Sequence, residues 1–562
     1  MSISPFPAIK RELVAHRGED RNPGVQLFGR RFFADQTVTE LLVEMLLVAA
    51  SDKRIGKVSF SHPLPALELL VDWPAKQEAA DNAAPLEYAP KARLNLKLFA
   101  FLGASKLDTR HLTHRNHYKD LLNELRRKIQ TPGTTSTDDV LRTLENLFLG
   151  YQGVGGQRTW CAQSFLPIGR TFISAETLWN ETEAIQHNID DWDNLLGSFT
   201  KYFSLNRHRF LARGGELLYL QLCNMLRQPI SRIQEWSKEI SLGVDDKETD
   251  PEQLHASLMK VFKEVLNTCP QAVERLAEFI DEGVETETAH HTDSDKDGQR
   301  RFTACGWCPE ESWPEGYLFA LEFLRLCTAQ IDPMERLELL ELLCAMQVIR
   351  SLCAQSVRYA GENYQQKLAG PLGYVFAISD PDGSHQALKQ ISRRSVSACE
   401  RMIYAAMRNP QIKGIIRQKQ GNDKDSYETS IYKEADSRYG YKYFLALGKR
   451  MGMIIPRRGR GARFVINERL LRLLVLTVMR PGQRITYTTF KRMALVHYGM
   501  AFDDANISAA SVWSGGPSIL TLGGNADQWL VEMLDSAGVL IRLSDSSAMV
   551  ASPSEGVEEE LT

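Results

Sequence analysis

Four groups of residues carry side chains that could do chemistry. Cys305-Gly-Trp-Cys308 has the two-residue spacing that lets two thiolates meet one zinc ion in a tight knuckle. A complete structural site needs two more ligands, and the nearest candidates are His290 and His291 upstream; a redox pair and ordinary packing are the other readings. His111, His114 and His117 lie three apart on an expected helix and span about 120° of it, so they could share a metal. The interleaved Arg110 and Arg115 oppose a bound cation and favour a solvated or polar-packed helix face. Between Gly150 and Arg158 a Gly-rich loop offers amides that could cradle an anion. No Lys-Ser/Thr follows it, so it is not a Walker A loop, and a tight turn between packed segments is the simpler reading. The fourth group is basic. Residues 385–500 hold 24 Lys and Arg against 7 Asp and Glu, a net +17, whereas residues 501–562 hold 1 against 10, a net −9. A cationic block beside acidic sequence points to one module that faces a polyanion.

His117-Tyr-Lys119 followed by Glu124 resembles the H-x-K-x4-D signature of phospholipase-D-like nucleases, in which the His attacks phosphorus and the Lys holds phosphate oxygens. The likeness covers eight residues, places Glu where that family has Asp, and has no second copy. The sequence contains no HExxH, no GxSxG, no complete phosphate-binding loop and no acidic nuclease constellation. A divergent metal-dependent nuclease therefore stands as the alternative to a non-catalytic role.

Within the basic block, residues 437–467 say most. On a helix begun at Arg438, Lys442 and Lys449 fall at roughly 40° and 20°, while Tyr443, Phe444, Leu447 and Met451 gather at roughly 140–240°. One face packs on a core and the other presents Arg438, Lys442 and Lys449; with Arg450 at the helix end, these are expected to face the groove or its phosphates. Gly452 is placed to stop the helix. Two short β-prone runs, Met453-Ile-Ile and Arg463-Phe-Val-Ile, then flank a Gly-rich turn carrying Arg457, Arg458 and Arg460, so a hairpin is expected. A helix followed by a basic hairpin resembles the recognition helix and wing of winged helix-turn-helix DNA-binding proteins. The resemblance implies a helix in the major groove, with Arg457, Arg458, Arg460 and Arg463 gripping the backbone. Cations that neutralise phosphates release condensed counterions, so binding would be salt-sensitive. The rival reading is a basic face that docks an acidic protein.

A second such unit is expected downstream. Asn467 caps a helix over 468–479, helices follow over 487–498 and 526–537, and runs at 539–543 and 548–551 form a hairpin. Asp527, Glu532, Asp535 and Asp545 would repel phosphate there, which points to a protein-facing or self-associating copy. Upstream, the expected division is an N-terminal mixed and helical domain (1–137), a helical domain (138–283) and a polar, mobile linker (284–301). A helical hairpin region with the cysteine pair (302–387) follows, in which Pro333 opens the second helix. The basic winged helix spans 388–466, the acidic one 467–551, and a disordered acidic tail 552–562. Within the first domain a helix capped by Asp35 or Thr37 is expected, and residues 75–90 read as a loop.

The 562 residues, 43% hydrophobic and 24% charged, suit a globular chain. No apolar run is long enough to span a bilayer, the start lacks a secretory pattern, and nine cysteines in apolar surroundings read as reduced thiols. The expectation is a mainly α, multidomain protein ending in tandem winged-helix units. Its expected role is a non-catalytic DNA-binding or scaffolding subunit of a cytosolic prokaryotic complex, with duplex DNA and other subunits as partners and at most zinc as cofactor. The general look also resembles subunits of bacterial phage-defence and restriction systems.

Overall fold

The computed structural model describes residues 22–29, 36–71, 86–89, parts of 119–150, 161–162, 177–178, 214–268, 271, 302–305, 308–361, 370–418, 424–517, 522–523, 526–544 and 547–553. The N-terminal elements are α1 (Pro23–Phe28), α2 (Val38–Ala50), β1 (Asp52–Ile55), β2 (Val58–Phe60), α3 (Leu67–Val71), β3 (Leu86–Ala89), α4 (Thr137–Gly150), β4 (Cys161–Ala162) and β5 (Thr177–Leu178). The middle of the chain forms α5 (Gly214–Leu226), α6 (Ile230–Glu239), α7 (Asp246–Thr249), α8 (Pro251–Leu266), β6 (Thr303–Ala304), α9 (Trp313–Thr328), α10 (Pro333–Tyr359) and β7 (Phe376–Ala377). The basic block supplies α11 (Gln386–Met407), α12 (Pro410–Gln418), α13 (Lys424–Arg438), α14 (Tyr441–Met451), β8 (Ile454–Ile455) and β9 (Arg463–Phe464). The chain then forms α15 (Glu468–Val478), β10 (Arg484–Thr486), α16 (Tyr487–Tyr498), β11 (Met500–Ala501), α17 (Asp504–Trp513), α18 (Gln528–Ser536), β12 (Leu540–Ser544) and β13 (Ser547–Ala551). The described chain is mainly helical, and no helix in it is long and apolar enough to cross a membrane.

Helix α10 is the spine. The Asp332 side chain accepts from the Met334 and Glu335 amides at 2.8 and 3.2 Å, and Pro333 occupies the first turn, where its missing N–H is not needed. Nearly every side chain from Leu339 to Val357 is buried, because α1, α2, α5, α9, α11, α14 and α15 all pack against this helix. Two glycines permit the closest approaches. A Cβ on Gly215 would sit 2.2 Å from the Leu41 carbonyl, and one on Gly316 would sit 2.5 Å from the Gln221 carbonyl. Helices α2, α5 and α9 therefore stack backbone against backbone.

A buried polar network ties α9, α10 and α16 together. Arg350 gives the Glu322 carboxylate two bonds of 2.7 Å and donates to the His497 carbonyl and to Gln347 Oε1, also at 2.7 Å. His497 Nδ1 lies 2.7 Å from Glu322 Oε1. Burial works against the Glu322 anion, but Arg350 outweighs it and holds that carboxyl below its ordinary range. For His497 burial prevails over Glu322 and lowers the imidazole pKa.

Residues 86–89, expected inside a loop, instead form strand β3 of a four-stranded antiparallel sheet ordered β2-β1-β3-β6. The reason is burial: Leu86 and Tyr88 both reach the core, and the Tyr88 hydroxyl donates to the buried Glu216. Of the two expected caps, Asp35 and Thr37, it is Thr37 that opens α2, with a full capping box to Glu40. Farther on, β7 pairs in parallel with β11, and β10, β13 and β12 make an antiparallel sheet in that order. Helix α17, not foreseen from sequence, starts at an Asp503 cap. Buried side chains from Leu27 to Val550 belong to one apolar cluster, which draws on the stretches 302–387, 388–466 and 467–551 alike.

Candidate nucleic-acid interface

The basic hairpin is built on a fixed base. Helix α14 ends at Gly452, which adopts a left-handed φ of 76° and faces Asn467 so closely that a Cβ would meet its amide nitrogen at 2.4 Å. Asn467 donates to the Met451 carbonyl at 2.9 Å and accepts from the Leu470 amide at 2.9 Å, so one side chain closes α14 and opens α15. Strands β8 and β9 pair Ile454 with Phe464 and Ile455 with Arg463, with a cis Ile455–Pro456 peptide at the start of the loop. Phe464 packs its ring 4.7 Å from that of Phe376, and its amide donates to Ser392 Oγ at 2.7 Å.

From that base the loop projects Arg457, Arg458 and Arg460 into solvent, with Gly459 and Gly461 supplying positive φ values of 98° and 85°. None of the three makes an ion pair among the described residues. Gly461 lies against α11, where a Cβ would come within 3.2 Å of the Arg393 guanidinium. Arg393 and Arg394 are exposed on α11, and Lys389, one turn earlier, is half-buried beside Gly383. These α11 residues extend the cationic surface and were not singled out from sequence. The four-residue spacing of Lys389 and Arg393 was the available signal, because it places both on one helix face.

The other expected contacts divide. Lys442 is exposed and Lys449 half-buried on the solvent edge of α14. Arg438 is not on that helix: α13 ends with it, and the helix is interrupted at Tyr439-Gly440, where Gly440 sits against Met407. Arg438 pairs with Glu434 at 3.6 Å. Arg450 is exposed but donates to the Gln36 carbonyl just before α2. Arg463 cannot grip a backbone, because it is buried at the hairpin base. Its guanidinium donates to Ser379 Oγ, the Asp380 carbonyl and the Pro381 carbonyl, each at 2.6 Å. Burial holds its pKa below the usual arginine range, in spite of Asp380 nearby.

Much of the remaining positive charge is used internally. Arg408 is held by Asp436 through bonds of 3.0 and 2.5 Å, Arg417 by Glu428 at 2.8 Å, and Lys491 by Asp527 at 2.6 Å. Arg480 bridges to Asp245 at 3.2 Å and to Glu248. In the downstream unit Asp527 is therefore not a bare charge, and Asp535 pairs with Arg542 at 2.9 Å; only Glu532 of that helix stays exposed without an ion pair among the described residues.

Cys305 and Cys308 are buried against α5. The Cys308 thiol donates to the Leu220 carbonyl at 3.6 Å, and burial pushes its pKa up to about 12. Among the described residues no group of three or more His, Cys, Asp or Glu is placed to hold a metal ion. His290, His291, the His111–His117 series, Glu124, the glycine-rich loop at 151–160, the linker at 284–301, Asp545 and the acidic tail from 554 lie outside the described residues. Set against protein-family models, curated proteins and solved structures, this chain matches none of them.

Proposed function

We propose that the protein is a non-catalytic subunit that grips the backbone of duplex DNA through the β8–β9 hairpin and the exposed face of α11. The observation that carries this reading is the state of Arg457, Arg458 and Arg460. They stand exposed on an anchored loop without an ion pair among the described residues, whereas Arg408, Arg417, Arg480 and Lys491 have carboxylate partners inside the molecule. Arg393 lies beside the loop at Gly461, and Arg394 and Lys442 are exposed cations on α11 and α14. Backbone contacts of this kind position a duplex without reading its sequence. The winged-helix reading of 467–551 is supported by the order α15, β10, α16, β11, α17, α18, β12, β13 and by the sheet order β10-β13-β12, although β11 pairs with β7 outside this segment. In 388–466 the hairpin follows α14 and rests on α11, as a wing would.

Six cationic contacts give an expected loss of affinity on the order of 10³-fold between 50 and 200 mM salt. The test is a salt titration of duplex binding for the wild type and for the triple variant Arg457→Glu, Arg458→Glu, Arg460→Glu. The variant is expected to melt like the wild type and to lose binding at low salt. Unchanged affinity would refute the interface.

A further inference from the structure

A groove of 730 Å³ opens between α10, α15 and α18, on elements that the proposed DNA surface does not use. Its floor is apolar, with Leu339 and Val475 at the bottom and the half-buried Trp529 and Met533 on one wall. Its lining holds five carboxylates against two arginines. Both arginines are already engaged, Arg469 with Glu338 at 3.3 Å and Arg472 with Glu335 at 3.0 Å. Asp382, Glu468 and Glu532 are left exposed on the rim with no ion pair among the described residues. Asp382 belongs to the loop that Arg463 holds through the Asp380 and Pro381 carbonyls, so this groove begins beside the base of the basic hairpin.

We propose that the groove docks a basic amphipathic helix from a partner protein. An apolar floor walled by helices accepts a stripe of side chains at i, i+3, i+4 and i+7, which is how helix-in-groove recognition works. A rim with surplus carboxylates selects a helix flanked by Lys and Arg and turns away nucleic acid. The occupant is thus opposite in sign to the polyanion assigned to the hairpin, and the two sites are independent.

The probe is a fluorescein-labelled 16-residue helical peptide with Leu at those spacings and Lys elsewhere, titrated by anisotropy against the full chain. A peptide with Glu for every Lys, and a scrambled Lys/Leu peptide without the stripe, serve as controls. The striped basic peptide is expected to bind at least about tenfold more tightly than either control, and duplex DNA is expected not to displace it. The double variant Glu468→Lys, Glu532→Lys is expected to weaken it by about tenfold, as two reversed exposed charges should. Glu532→Gln, which removes one charge without reversing it, gives a smaller loss in the same direction. Equal binding of the scrambled peptide overturns the proposal, as does unchanged affinity of a double variant that melts like the wild type. If sedimentation shows self-association that the double variant abolishes, the groove belongs to a second copy of this chain and the partner helix is refuted. Loss of DNA binding in the hairpin variant leaves this result untouched, so the two readings fail separately.

Discussion

The two hairpins that follow helices in the C-terminal third make opposite use of charge. The β8–β9 hairpin raises three arginines on a loop whose base is locked by Phe464 and Arg463, and no carboxylate of the described molecule answers them. The β12–β13 hairpin carries one arginine, Arg542, already paired with Asp535 on the preceding helix, and beside it an exposed Leu543. Each is an antiparallel pair that directly follows a helix, α14 in the first case and α18 in the second. The difference lies in whether the helix before the hairpin supplies acids: α18 supplies Asp535, which pairs with Arg542, whereas α14 contains no carboxylate. Net charge over a hundred residues is thus a poor map of an interface. What locates it is the subset of charges that folding leaves unanswered.

The largest effect should separate the hairpins outright. Reversing Arg457, Arg458 and Arg460 is expected to lower duplex affinity on the order of 10³-fold near 50 mM salt and to reduce the log–log salt slope by about three, whereas Arg542→Glu changes either by less than about twofold. Equal effects would erase the distinction. Arg463→Met tests the base rather than the tip. Losing three buried hydrogen bonds should lower stability by about 2–4 kcal/mol in a denaturant titration, and the tip reversal should leave stability within about 0.5 kcal/mol.

The pH dependence sharpens the comparison, because the titrating network roots the second unit through α16. His497 is buried with its Nε2 lacking a hydrogen-bond partner among the described residues, and its folded pKa lies below the ordinary 6.5. The unfolded chain therefore takes up a proton that the folded chain refuses, and stability falls as pH drops below about 6.5. Glu322, whose folded pKa lies below 4.5, adds a further loss as pH falls below that value. The melting temperature should be lower at pH 5.5 than at 7.5, and His497→Gln should flatten that interval; an equal slope in the variant would assign the effect elsewhere. The smallest effect is expected at Arg542→Ala, an exposed pair, which should stay within about 0.5 kcal/mol of wild type in the same denaturant titration.

Local signals were legible wherever the cause is local. Pro333 after Asp332, Gly452 after Met451 and Asn467 before Glu468 mark helix ends with their own side chains or backbone, and the structure places ends there. The hairpin around Arg457 to Arg460 is legible for the same reason, being two β-prone runs about a glycine-rich turn. The failures share a different cause. Arg463 looks like one more wing cation until the loop at 379–383, some eighty residues away in sequence, supplies three acceptors. Arg438 projects onto the same face as Lys442 only if the helix is continuous, and the backbone leaves helical geometry at Gly440 (φ −94°, ψ −118°), so it is not. Strand β3 has too few residues to show a period, and its partners lie in β1 and β6.

Composition and spacing thus set the helical class, the helix caps, the position of the cationic hairpin and the excess of positive charge around it. Which of those charges stay available was decided only by the tertiary structure. A guanidinium reads the same in sequence whether it meets water or a carbonyl, and the partners that bury Arg463, pair Arg480 and answer Arg350 come from distant segments brought together around α10.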